Sequence, residues 1–501
     1  MKPNIIFIMA DDHAANAIGA YGSKINSTPN IDRIARSGAR FSHCYVSNSI
    51  CTPSRASILT GTYNHVNGVM SLGDTIDSRL PNVAKHFNTA GYQTAIFGKW
   101  HLGEGKAHQP SGFDDWKVLP GQGAYFNPIF HSPKGEEKIS GYVTEIITDI
   151  TLDWLKNRDT NKPFFLMMHH KAPHRPWHYD PKKENLYLDK IEIPDTFADD
   201  YKNRAAAASA AKIRIADDFT YEDLGLAQPE SGLNLGELLW DKSGNRKLPK
   251  VDDFDVFSLK DETTGEIFKF ADKKSYDEFK YQRYLQRYLR TVSSIDDSVG
   301  SILDFLDSEG LSDNTMVIYT SDQGFFLGEH GWYDKRFMYE ESFQMPFLIK
   351  YPKEIEANSV ISHMISNVDF APTFLETAGL SVPNYMQGRS FRPLWQKNFS
   401  EEWPDLVYHR YWMHRDLYHN AYAHYGIRNK KYKLIYWYNE GLGSTGSQPG
   451  GETPEWELFD CENDPKELFN LANKSEYQET LKQLIEILDS KMAEIGDIPR
   501  H

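Results

Sequence analysis

Four short apolar runs in this chain end abruptly on charged or metal-capable residues, and no other feature narrows the possible folds as far. "NIIFIM" (4–9) leads to Asp11 and Asp12, and "QTAIF" (93–97) to Gly98-Lys99-Trp100-His101. "PFFLMMHH" (163–170) runs into "KAPH", and "TMVIYTS" (315–321) into Asp322 and Gln323. Unbroken apolar runs of this length suit strands buried on both faces, as in a largely parallel sheet covered by helices. Segments with helical spacing lie between them: 28–38, with Thr28 as a cap and Gly38 as a stop, then 80–92 and 143–158. In an open α/β sheet the ligand site lies off the carboxyl ends of the strands, so the four segments are expected to converge on one crevice.

The chain has 501 residues, enough for more than one domain. The expected fold is α/β, a large mostly parallel central sheet flanked by helices, with a smaller C-terminal α+β subdomain. Residues 1–399 form the expected catalytic domain and 400–501 the subdomain, where antiparallel strand patterns at 425–438 and 456–460 precede an amphipathic closing helix at 476–495. A stretch at about 217–272, dense in Asp, Glu, Gly and Ser, reads as a surface insertion or lid. The long helical pattern 275–307 then returns the chain to the core.

A net charge of −15 argues against binding a nucleic-acid backbone, which calls for a basic face. An anionic ester remains compatible with it if a bound divalent cation and a few Lys or Arg line the pocket. Cys44, Cys51 and Cys461 are odd in number and too few for a disulfide framework, so the compartment stays open on this count. The N-terminal apolar run is closed at once by two acids and reads as a strand, not a signal peptide, and no stretch approaches a membrane span. As written the protein is expected to be soluble and cytoplasmic, or periplasmic or secreted if a signal peptide preceded the numbered chain.

An isolated Asp-Asp pair is ordinarily a helix cap or a solvated loop. Joined by Asp322 and Gln323 from another strand end, Asp11 and Asp12 make an all-oxygen set suited to Ca²⁺ or, less well, Mg²⁺, and no His/Cys set of zinc type competes. Lys99, Lys335 and Arg55 each pass alone for ordinary turn or surface residues; together they supply fixed positive charge for an oxyanion. His174 is placed to move a proton to a leaving group, with His169 and His170 as core or supporting residues. In the aromatic-rich stretch 408–441, Tyr432 to Tyr438 reads as a packed strand. The loop-like part with Tyr411, Trp412, His414 and His419 reads as a saccharide wall, joined by Trp177 and His178 after "APHRP".

Cys51, Pro53 and Arg55 in "CTPSRASILTG" (51–61) form a Cys-x-Pro-x-Arg pattern. It resembles the maturation signature of the type I sulfatases of the alkaline phosphatase superfamily, whose cysteine is oxidised to formylglycine. "ADDH", "TPNIDRIARSGARFSHCYV", "GYQTAIFGKWHLG", "KAPHRP", "SDQGFFLGEHGWYDKRFMYEESFQMPFLIKYP" and "NVDFAPTFLETAG" resemble sulfatase segments in the family's order. The resemblance spans nearly the whole chain and is strongest to bacterial polysaccharide sulfatases similar to N-acetylglucosamine-6-sulfatases. It implies that Asp11, Asp12, Asp322 and Gln323 hold Ca²⁺ together with the modified Cys51, that Arg55 and His101 orient and deprotonate the nucleophile, that Lys99 and Lys335 clamp the sulfate, and that His174 serves the leaving alcohol. Gln323 stands where many members have Asn, and keeps the amide oxygen. Asp369 reads as a structural helix start. The implied partners are a sulfated oligosaccharide or polysaccharide and a formylglycine-generating enzyme. The hydrated aldehyde explains the odd thiol, because two hydroxyls on one carbon allow one to attack sulfur and the other to expel sulfate. A phosphonate or phosphate ester hydrolase of the same superfamily, or a sulfated-glycan binder with a dead site, are the alternatives.

Overall fold

The run at 4–9 becomes β1 (Asn4–Ala10), buried at every position, in the middle of an 11-stranded sheet. The structure, a computed structural model, describes residues 2–227, 254, 258–396, 399 and 402–499. With β2 (Ala39–Tyr45), β3 (Gln93–Lys99), β4 (Asp115–Leu119), β5 (Phe164–His169) and β6 (Thr315–Ser321), the central order is β6, β1, β5, β3, β4, all parallel. The margins are mixed. Phe347–Lys350 runs antiparallel between β6 and β2, and Ile129–Ser132 runs antiparallel beside β4.

Register fixes the site. Ala10 lies opposite Ser321, and Met9 and Gly98 both lie opposite His169, so the residues after β1, β3, β5 and β6 emerge along one edge. Alternation along β1 sends Ile5, Phe7 and Met9 into one core and Ile6, Ile8 and Ala10 into the other. The first core packs under α1 (Cys51–Thr60) and α2 (Val83–Thr89), the second under α3 (Val143–Asn157) and the C-terminal part of α4 (Lys273–Ser308). Asn82 caps α2 by accepting from Lys85 N at 3.0 Å, and Asp272 and Ser275 form a capping box on α4. The helix predicted within 28–38 spans Ile31–Arg36, but Thr28 does not cap it: its hydroxyl instead donates to Asp32 Oδ1 at 2.9 Å.

The C-terminal region is a four-stranded antiparallel sheet of Leu406–Tyr411, His424–Asn429, Tyr432–Trp437 and Glu455–Asp460. It is covered by α5 (Gln478–Ile495), which buries Leu484, Leu488, Met492 and Ile495 at helical spacing. Of the expected insertion, the described parts form a three-stranded antiparallel sheet of Leu226–Ala227, Ser258–Asp261 and Ile267–Lys269, tied to α4 by Arg283 and Asp261 at 2.6 Å. Residues 228–253 and 255–257 lie outside the described residues. Among the described residues, no helix is long and apolar enough to cross a membrane.

Candidate active site

Asp11 and Asp12 leave β1 in a bent path, with Asp12 at φ 74°, a conformation rarely adopted by a non-glycine residue. The bend is pinned on three sides: Asp11 N donates to Ala172 O (3.1 Å), Asp12 N to Asp322 Oδ1 (3.2 Å), and the Tyr288 hydroxyl of α4 to Asp12 O (2.7 Å). Strained backbone held this firmly is characteristic of functional sites.

Around these acids stand the expected cations. Arg55 donates to Asp322 Oδ2 from Nε (3.0 Å) and Nη2 (2.8 Å), and to Lys99 O from Nη1 (2.9 Å). Lys335 Nζ bridges both oxygens of Asp12, at 2.6 and 2.7 Å. Lys99 Nζ donates to Asp11 Oδ2 and to Gln122 Oε1. Cys51 begins α1, a helix buried at every position, and Arg55 stands one turn later on the same face. Burial is the chief reason the Cys51 thiol is raised, against the pull of Lys99 and Lys335, so the unmodified side chain stays a neutral thiol. His101, at φ 54°, has Nδ1 3.2 Å from Thr52 Oγ1. His174 pairs Nδ1 with Arg175 O at 2.8 Å and holds Nε2 3.8 Å from Asp12 Oδ2. Burial first, and then Lys99, depress both histidines well below the usual range, so both rest neutral.

Three carboxylates buried together resist joint ionisation. Burial, then Asp11 and neighbouring acids, push Asp12 up to about 8 despite Lys335. Burial and Asp11 raise Asp322 to about 6. For Asp11 burial acts upward, but the fixed charges of Lys99, Arg55 and Lys335 hold it well below the normal range. Two buried acceptors, Asp11 Oδ1 and Gln323 Oε1, have no hydrogen-bond partner, while Gln323 Nε2 donates to Asp12 Oδ1. Unsatisfied oxygens within a set of crowded acids fit a hard divalent cation. Asp11, Asp12 and His174 also bring metal-capable atoms within 4.8 Å of one another.

The structure thus gathers Asp11, Asp12, Cys51, Arg55, Lys99, His101, His174, Asp322, Gln323 and Lys335 at one edge. His169 and His170 lie directly behind, with His169 Nδ1 3.2 Å from Lys99 O and His170 Nε2 3.2 Å from Ser298 Oγ. The saccharide wall requires correction. Trp177 is 0% exposed, enclosed by Phe219, Tyr284 and Phe325, and His414 is 0% exposed, paired with Glu452 at 2.9 Å. Trp412 is buried with the Arg410 guanidinium 3.5 Å over its ring, and Tyr411 ends a buried strand. These side chains have no face left for a sugar ring. His178 is half-buried beside Tyr125, ring centroids 6.0 Å apart.

Sequence reasoning missed Gln122, and also the residues either side of Lys335. Asp334 (φ 76°) and Arg336 (φ 99°) join His419 in a polar cluster: Arg336 Nη2 is 3.3 Å from His419 Nε2, which is 3.5 Å from Asp334 Oδ2, and His419 Nδ1 meets Asp416 at 2.7 Å. Three charged residues in succession, Asp334-Lys335-Arg336, were the available signal.

Crowded acids tied to fixed cations at the carboxyl edge of a parallel sheet are the equipment of a metal-assisted hydrolase of anionic esters. The sulfatase family model matches residues 3–380, and a model described as the C-terminal part of N-sulphoglucosamine sulphohydrolase matches 328–494. The chain belongs to the sulfatase family, with the alkaline-phosphatase-like fold, and is a sulfuric ester hydrolase. It is 40% identical to an N-acetylglucosamine-6-O-sulfatase of Bacteroides thetaiotaomicron, over 99% of this chain and 87% of the relative. It superposes with a TM-score of 0.86 and 38% identity on BT4656 in complex with its substrate D-glucosamine-2-N,6-O-disulfate, covering 99% of both chains. The phosphonate monoester hydrolase of Agrobacterium radiobacter shares the fold at a TM-score of 0.70 and 20% identity, covering 99% of this chain and 96% of that one.

Proposed function

We propose that this sulfatase removes the 6-O-sulfate of a sulfated glucosamine in a glycosaminoglycan-type saccharide. The near-full-length similarity to an N-acetylglucosamine-6-O-sulfatase carries the reading. The Asp334–Arg336–His419 cluster supports it, since a carboxylate, a guanidinium and an imidazole fixed beside Lys335 suit the vicinal hydroxyls of a sugar ring.

Asp11, Asp12, Asp322 and Gln323 would hold Ca²⁺, which supplies Lewis-acid polarisation of the sulfate. Cys51, as formylglycine, would supply the nucleophilic hydroxyl of a hydrated aldehyde. Arg55, anchored on Asp322 and Lys99 O, orients residue 51 from one turn along α1. His101, neutral at rest, takes the proton from the attacking hydroxyl. Lys99 and Lys335 neutralise charge that gathers on the sulfate oxygens, and His174, neutral at rest, takes up a proton once the anionic ester is in the site and passes it to the departing alcohol oxygen.

The experiment is sulfate release from glucosamine-6-sulfate compounds and from a panel of glycosaminoglycan and algal oligosaccharides, with protein co-produced with a formylglycine-generating enzyme and supplied with Ca²⁺. Release from the 6-sulfated glucosamines is the expected result; release only from other members, or only from an activated aryl sulfate, overturns the substrate.

The site sets two further outcomes. Because Asp12 and Asp322 titrate near 8 and 6, protons compete with a cation through that window, and the apparent affinity falls as pH drops. The Ca²⁺-induced rise in Tm should therefore roughly double between pH 6 and pH 8; a rise independent of pH would mean that these carboxylates do not meet the ion. Replacing His174 by Ala should lower turnover of saccharide sulfates by about 10²–10³-fold and of a nitrophenyl sulfate by about tenfold or less, since a good leaving group needs little acid assistance. Equal losses would make His174 a sulfate or metal contact.

A further inference from the structure

Beside the hydrolytic pocket, the segment 171–179 carries a second cationic cluster that the hydrolytic chemistry leaves unused. Lys171, 2% exposed, forms no hydrogen bond or ion pair among the described residues; its Nζ lies 4.7 Å over the Tyr125 ring. Tyr125 in turn donates to His174 O at 2.5 Å and sits beside the His178 ring. Tyr179, next in the chain to His178, carries Arg287 and Arg290 of α4 over its ring at 5.6 and 4.7 Å. Both are mostly buried, Arg287 Nε has no partner, and among the described residues neither has a carboxylate within 4 Å. Their neighbours differ: Arg175 is paired with Asp223, and Arg283 holds Asp261 at 2.6 Å. Burial first, and then the positive charges of Arg287 and Lys171, lower His178 to about 4. Buried cations without counter-ions are costly unless a ligand supplies the charge.

We infer that Lys171, His178 and Arg287 form a second anion subsite, which takes a negatively charged substituent of the saccharide other than the sulfate being cleaved. The inference rests on the sulfated-glucosamine reading. A sulfate or a carboxylate meets the same requirement, an oxyanion that accepts from an ammonium and a guanidinium. Burial first, and then Lys99, lower Lys171 to about 7, consistent with an ammonium that lacks a close anionic partner. Tyr125 links the subsite to the reaction centre, since one ring carries Lys171 on its face and bonds the backbone of His174.

The test compares glucosamine-6-sulfate, glucosamine-2-N,6-O-disulfate, and a 6-sulfated N-acetylglucosamine linked to a hexuronate. In Lys171→Met and Arg287→Met, kcat/KM for the probe whose second anion occupies the subsite should fall about tenfold further than for glucosamine-6-sulfate. Lys171→Arg should recover most of that loss. Selective loss on the disulfate identifies a sulfate on the same ring; selective loss on the hexuronate conjugate identifies a neighbouring carboxylate. Equal losses on all three probes, or none, overturn the subsite, since a packing role would not discriminate among them. If the unaltered enzyme cleaves none of the three, the substrate reading fails independently. Calorimetric binding of the disulfate and the monosulfate to Cys51→Ser then decides: tighter disulfate binding that Lys171→Met removes upholds the subsite, and equal or absent binding overturns it.

Discussion

Replacing Cys51 by serine is expected to lower sulfate release by roughly 10⁴-fold or more while the melting temperature stays within about a degree of the parent. The substitution exchanges sulfur for oxygen at a buried helix start and leaves Arg55, Lys99 and the acidic cluster in place. A serine hydroxyl can attack sulfur once, but its carbon bears no second hydroxyl to expel the sulfate, so any reaction should stop after a single stoichiometric event. The measurement is a time course of alcohol and sulfate release at known enzyme concentration, with at most one equivalent of alcohol and no sulfate expected. Sustained multiple turnover by homogeneous Cys51→Ser protein would remove the aldehyde chemistry from the proposal.

The second large effect concerns Lys335, which bridges both oxygens of Asp12. Lys335→Met removes a fixed cation from the sulfate site, and kcat should fall about 10²–10³-fold, with a smaller change in KM. It also strips Asp12 of its cationic partner, so the metal-free variant should melt below the parent. Added Ca²⁺ should restore much of the lost melting temperature without restoring turnover, because it compensates Asp12 and not the sulfate. A variant that keeps kcat and changes only KM would place Lys335 in ground-state binding alone.

The grouping of the candidate site residues was legible because apolar runs mark strands, and a parallel sheet brings the residues just past each strand's carboxyl end to one edge. Asp11, Lys99, His174 and Asp322 could therefore be grouped from their positions in the chain, and the register of β1, β5, β3 and β6 is what brings them together. The saccharide wall was not legible, since an aromatic residue in a loop has the same local pattern whether it faces a sugar or a core. What buries Trp177 is Tyr284 on α4 and Phe325 after β6, both remote in sequence. Gln122 escaped notice because its loop comes after the marginal strand β4, which has no long apolar run. Arg336 and Asp334 were visible as charges, but their linkage to His419 depends on how the C-terminal sheet meets the parallel one.

The burial of α1 also bears on the order of events in the life of the chain. Every residue from Cys51 to Thr60 is enclosed, and the segment before it is stitched down by Ser49 to His409 and Ser342, and by Arg410 N to Ser47 O. On the proposed chemistry, an enzyme that oxidises Cys51 has no access to the thiol on the finished molecule. If the proposal holds, the aldehyde would be installed before α1 is enclosed, and a molecule that closes too early would keep its thiol.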